Sequence, residues 1–173
     1  MIRNKIKTIS KEYDAIALND LKDQLNEQRD YVLDDEKLTK KIKSAIDYCE
    51  GLIDCSIVPA VKSLVIYEFS GNEIVIDEYD YNSIKDVIVN GVSGRTDVIK
   101  YVVENYTYFT IKFNENIQAD KIEIKYNAFV EFKENYKEAI IVKASDLIDN
   151  ESSNYTYQVQ NNKTVERLLN ITT

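Results

Sequence analysis

The segment Glu123-Ile124-Lys125 has the residue types that come nearest to a reaction centre. On a strand, the i, i+2 spacing puts carboxylate and ammonium on one face. There the acid can bind Mg²⁺ while the lysine steadies an attacking water, the chemistry of metal-assisted phosphodiester hydrolysis. Such a site needs a second acid at the end of a neighbouring strand. Asp77, Asp80 and Asp97 are nominally available, but none is convincingly placed, and a wet strand face produces the same alternation without any chemistry. Two acid clusters, Asp77-Glu78-Tyr79-Asp80 and Asp34-Asp35-Glu36, lack the alternating oxygens and central glycine of a calcium loop. The second suits a helix start, where carboxylates meet the positive end of the helix.

Other chemistry is excluded more firmly. The chain has no histidine, which removes the Ser-His-Asp and Cys-His relays and most zinc catalysis. Cys49 and Cys55, six residues apart, match no zinc or redox spacing, and Cys49 falls on an apolar stripe, as a core thiol does. The four glycines form no phosphate-cradling loop. No catalytic residue, metal ligand set or cofactor site is therefore expected, and the chain does not read as an enzyme. A net charge of −8 is the wrong sign for a general nucleic-acid binder. With 44% hydrophobic and 30% charged residues over 173 positions, the chain is globular and large enough to hold a core. No apolar run approaches the roughly 20 residues that cross a bilayer, and Met1–Lys7 lacks a secretory leader, so a soluble intracellular chain is expected.

The apolar periodicity predicts an α+β fold. Residues 18–57 read as a helical hairpin. Asn19 is the expected N-cap of a short first helix striped by Leu18, Leu21 and Leu25, which the polar run Asn26–Asp30 ends. The second helix opens at Asp34-Asp35-Glu36 and carries Leu38, Ile42, Ala45, Ile46, Cys49, Leu52 and Ile53, with Lys37, Lys40 and Lys41 on its wet side. After Pro59 the period falls to two. Ser63–Phe69 and Glu73–Tyr79 read as strands flanking a hairpin turn at Ser70-Gly71-Asn72. Ile84–Asn90, Val98–Val103, Tyr106–Phe113 and Lys121–Tyr126 complete an antiparallel insert over about 63–127. Residues 132–149 return to helical period, from Phe132 and Tyr136 through Ala139, Ile140, Lys143 and Ala144. The first eleven residues form a basic arm (Arg3, Lys5, Lys7, Lys11), either solvated or ordered against an acidic neighbour. The organisation expected is one α+β domain, 1–150, and an extended docking tail, 151–173, in which Tyr155–Val159 is a short extended piece. The tail's apolar patch, Val165, Leu168, Leu169 and Ile171, is too small to build a core and must dock on this domain or on another subunit; the expectation is that one copy cannot satisfy it.

The run Ile16–Leu25, the acidic start Asp34-Asp35-Glu36-Lys37-Leu38 and the segment Ile42–Glu50 resemble the opening of the head–tail connector (adaptor) proteins of tailed bacteriophages. The strand-rich insert, the helix at Lys133–Asp149 and the ending Val165-Glu166-Arg167-Leu168-Leu169 are similar to later parts of the longer members. The N-terminal arm is longer here, Gly51-Leu52-Ile53 replaces the family's threonine-glycine, and its third-helix tryptophan is missing. The resemblance implies a virion structural protein, made in the host cytoplasm, that forms a homo-oligomeric ring, usually of twelve copies. Such a ring would join the portal protein to the next tail or ring protein and extend the DNA channel without sequence-specific binding. It also implies that Val165, Arg167, Leu168 and Leu169 form the portal interface. Two alternatives remain open: a monomeric α+β protein-binding module, using the exposed sheet face or the Lys37/Lys40/Lys41 face, and a Mg²⁺-dependent nuclease.

Overall fold

A computed structural model of the chain describes residues 5–25, 34–149 and 155–170. It is mixed α+β, with four helices and a five-stranded antiparallel sheet among the described residues. The chain divides into two compact units, and the division differs from the expected cut after residue 150. Met1–Lys11 and Pro59–Val130 form a sheet unit, and Glu12–Val58 and Glu131–Thr173 form a helical unit.

In the sheet unit the strands are β1 (Lys5–Lys11), β2 (Ala60–Ile76), β3 (Tyr81–Val89), β4 (Ile99–Glu104) and β5 (Phe109–Ala128). Their order is β1-β2-β5-β3, and β4 pairs with the first half of β5. The basic arm is thus an edge strand, Lys7 lying opposite Ser63 and Lys11 opposite Ala60. Its lysines and a register irregularity between Thr8 and Ser10 are features that keep an open edge from pairing with other chains.

Two sequence expectations fail in the same place. Ser70-Gly71-Asn72 is not a hairpin turn but an irregularity inside the continuous strand β2, and the two strands expected at 106–113 and 121–126 are one, β5. Gly71 pairs with Ile117 and Glu73 with Lys112, so Asn72 of β2 faces the four residues 113–116 of β5. Glu68 nearby adopts a left-handed φ of 52°. Such bulges bend a strand pair and use the same small polar residues as tight turns do. The bend is large. Phe109 and Tyr126 are 17 residues apart in β5, roughly 56 Å along a straight strand, yet their rings are 5.2 Å apart. The β2–β5 ribbon therefore folds over itself. It closes one core from both halves: Ile74, Ile76, Phe109 and Ile111 against Leu64, Ile122, Ile124 and Tyr126.

The helical unit contains α1 (Leu18–Gln24), α2 (Asp35–Ile53), α3 (Glu134–Asp149) and α4 (Tyr155–Leu168). Ala17, not Asn19, is the N-cap of α1, because the helix begins two residues earlier than that cap would place it. The polar run Asn26–Asp30, expected to end α1, lies outside the described residues, as does Ile171. The apolar stripe of α2 is buried as its spacing requires, with Leu21 of α1 and Ala139, Ile140 and Ala144 of α3 in the same core. Lys22, 1% exposed, reaches Asp35 at 2.5 Å, and Lys137 reaches Asp20 at 3.1 Å, so α1 is tied to the starts of both α2 and α3.

Candidate assembly surfaces

The C-terminal segment departs furthest from expectation. Residues 155–168 are helix α4 rather than an extended tail. Val165 and Leu169 are buried in the chain's own helical core, Leu168 is half-buried, and Arg167 is exposed. The idea that this patch cannot be satisfied within one copy is therefore corrected. Val165 and Leu169 are one helical turn apart, so a helix places both on one face, where α3 and α2 already offer apolar surface.

Polar contacts hold α4 at two heights. The Asn135 side-chain N–H donates to the carbonyl of Leu168 at 2.6 Å, satisfying a group that a helix end leaves open. The buried Lys143 ammonium donates to Asp146 Oδ2 at 3.0 Å and to Asn162 Oδ1 at 2.9 Å. It also lies 4.2 Å from the centre of the Tyr48 ring, and the Tyr48 hydroxyl faces Asn162 Oδ1 at 3.4 Å. One lysine thus joins α2, α3 and α4.

The candidate chemistry resolves into structure. Glu123 and Lys125 share the outer face of β5, as their spacing predicted, and both are half-buried. Glu123 accepts a hydrogen bond from Ser63 Oγ at 3.0 Å and lies 3.5 Å from Lys121 and 3.8 Å from Lys125. Asp80, one of the possible partner acids, is instead buried with Lys62. Asp97 pairs with Arg95 at 3.2 Å. The acid cluster at 77–80 has a protein cation: Lys62 Nζ donates to Glu78 at 2.5 Å and to Asp80 at 2.7 Å, and Tyr126 donates to Glu78 at 3.0 Å. Burial opposes the Lys62 charge, but the hydrogen bonds to Asp80 and Glu78 outweigh it and raise the pKa above the usual lysine value. Burial, reinforced by Glu78, pushes the Tyr126 phenol above its usual range. Cys49 is buried, which pushes its thiol up to about 12, in keeping with a core residue rather than a nucleophile. Among the described residues, no group of three His, Cys, Asp or Glu side chains is placed to hold a metal ion. No helix among them is long and apolar enough to cross a membrane.

The sequence pattern assigns Glu50 no role of its own. It is buried, and one carboxylate oxygen accepts the backbone N–H groups of Ile57 at 2.6 Å and Val58 at 3.1 Å. The chain between them turns through Asp54, whose φ is 53°. The signal was an acid lying beside Cys49 at the edge of the buried stripe.

Two surfaces stand out. On the sheet unit, the β4–β5 hairpin exposes Tyr106 almost completely, with Tyr108, Val103 and Val75 exposed nearby and a Lys112–Glu73 ion pair beside them. On the helical unit the feature is charge. It holds 19 of the 30 acids and 11 of the 22 cations, a net −8, whereas the sheet unit has 11 of each.

No protein family profile matches the chain, and no curated protein does. Solved structures do. A chain in the neck of an empty gene transfer agent particle, computed with C6 symmetry, superposes with a TM-score of 0.69 at 13% identity, covering 95% of this chain and 94% of that one. A chain in the virion of the native particle gives 0.66 at 12% identity, over 97% and 95%. One in the native neck computed with C12 symmetry gives 0.65 at 12% identity, over 95% and 94%. Coverage this complete takes in helices and sheet together: the chain has the fold of a protein found in the neck of a gene transfer agent particle.

Proposed function

We propose that this chain is a structural subunit of a virion neck, a head–tail connector that assembles with its own copies into a ring. The ring joins the portal to the tail and lengthens the DNA channel. The observation that carries this reading is the end-to-end fold match to neck chains whose assemblies were computed with sixfold and twelvefold symmetry. A subunit of a closed ring presents two different, mutually complementary side surfaces, and this chain has distinct candidates on its two units. Portal docking belongs to the C-terminal segment. With Val165 and Leu169 holding α4 in place, Arg167 and the outer side of Leu168 are the residues that reach the portal.

One observation favours a second reading. Because α4 is already packed on its own core, a single copy is more complete than a connector with a dangling tail, which suits a monomeric protein-binding module. Electron microscopy of the purified chain mixed with portal-bearing capsids separates the two. The connector reading expects ring density of several copies seated on the portal vertex. A chain that stays monomeric, with bare vertices, overturns it in favour of the module.

A further inference from the structure

Lys37, Lys40, Lys41 and Lys43 fall within seven residues of α2 with no acid among them, inside a unit whose net charge is −8. Lys40 is paired with Glu36 at 2.5 Å, and Lys43 lies 5.4 Å over the Tyr13 ring. Lys37 and Lys41 have no ion pair among the described residues. They are four residues apart, hence neighbours on one helix face. On α3, Glu134 and Glu138 repeat that spacing with the opposite sign; both are exposed, and neither has an ion pair among the described residues.

The two stripes cannot neutralise each other at close range through the core. α2 buries Leu38, Ile42 and Ile46, and α3 buries Ala139, Ile140 and Ala144, so their charged faces point away from the apolar core they share. They nevertheless lie at the same end of the helical unit. α1 ties Asp35, at the start of α2, through Lys22, and Lys137, in the first turn of α3, through Asp20. Copies related by rotation present the same two faces to one another, so a basic and an acidic stripe on different faces of one end of the unit can meet between neighbours.

We propose that the Lys37/Lys41 stripe of one copy docks on the Glu134/Glu138 stripe of the next. This contact rests on the ring reading above and names its lateral interface. Duplex DNA is the poorer occupant. Its binding needs a field of cations, whereas these lysines belong to a strongly acidic unit that repels phosphate within the roughly 8–10 Å that salt leaves unscreened.

The test uses the full chain with charge reversals, each variant first shown to keep the wild-type circular dichroism and melting profile. Native mass spectrometry of wild type, K37E/K41E and E134K/E138K reads self-association. Each reversed variant is expected to associate at least about tenfold more weakly, since like charges then face one another. An equimolar mixture of the two is expected to recover oligomers in which the variants alternate. Oligomers formed equally well by wild type and both variants overturn this contact and leave the ring reading standing. A wild type that stays monomeric at every concentration and leaves portal vertices bare overturns both. Loss of duplex DNA retention in K37E/K41E with its oligomers intact assigns the stripe to DNA and overturns the contact.

Discussion

Single ionisable side chains buried in the cores make stability depend on pH. Lys62 is held charged by Asp80 and Glu78 and has a folded pKa above its ordinary value, so its contribution is complete below about pH 10.5 and is lost as pH rises through the raised value. Tyr126 has the same sign, because the folded state resists ionising the phenol and stability falls once pH passes the ordinary value near 10. Cys49 adds to it between 9 and about 12. Urea midpoints are therefore expected to stay flat from pH 7 to 9 and drop above pH 10. Tyr126→Phe should lose about 1 kcal/mol at pH 7 for its hydrogen bond and show a shallower alkaline fall. An equal alkaline fall in the variant would remove Tyr126 from the account. Glu50→Ala strands two backbone N–H groups and should cost about 3 kcal/mol in urea unfolding, whereas a loss below 1 kcal/mol would show that water replaces the carboxylate.

At the level of elements, sequence periodicity was most informative where an element has one wet face. The α2 stripe, the Ala139, Ile140 and Ala144 part of the α3 stripe and the alternation at Lys121–Tyr126 are buried as read, whereas Phe132 lies exposed ahead of α3 and Tyr136 is half-buried. It failed where packing overrides local preference. Tyr155-Thr156-Tyr157-Gln158-Val159 is rich in β-formers and reads as extended, yet it opens a helix whose later turns are fixed by the Asn162 and Leu168 hydrogen bonds and the burial of Val165. Ser70-Gly71-Asn72 failed differently, since its residues permit both a turn and a bulge, and the choice depends on β5, some 45 residues further on. Among the candidate surface residues, Arg167 lies outward, whereas Val165 and Leu169 needed a partner helix that sequence alone did not reveal. Val165→Asp is expected to free α4. Hydrogen exchange at residues 162–170 should then accelerate at least a hundredfold, with amides of β2 and β5 unchanged. Unchanged protection there would mean that Val165 does not hold the helix.

For the whole molecule, the end-to-end fold match carries the proposed ring, and the charge stripes proposed above would form its lateral contact. Charge is divided unevenly between the two units. That division gives one unit an acidic field against which a lysine stripe is conspicuous, and leaves the other electrically balanced. The interleaving of the units along the chain has a further consequence, for synthesis on the ribosome. Residues 12–58 emerge early, but their core is closed by α3 and α4, which lie beyond the 72 residues of the second sheet segment. At about 5–20 residues per second, Leu38, Ile42, Ile46 and Cys49 wait roughly 4–14 s for a cover. Chaperone engagement should therefore concentrate on nascent chains of intermediate length, and any product stopped before α4 leaves that apolar stripe open to proteolysis.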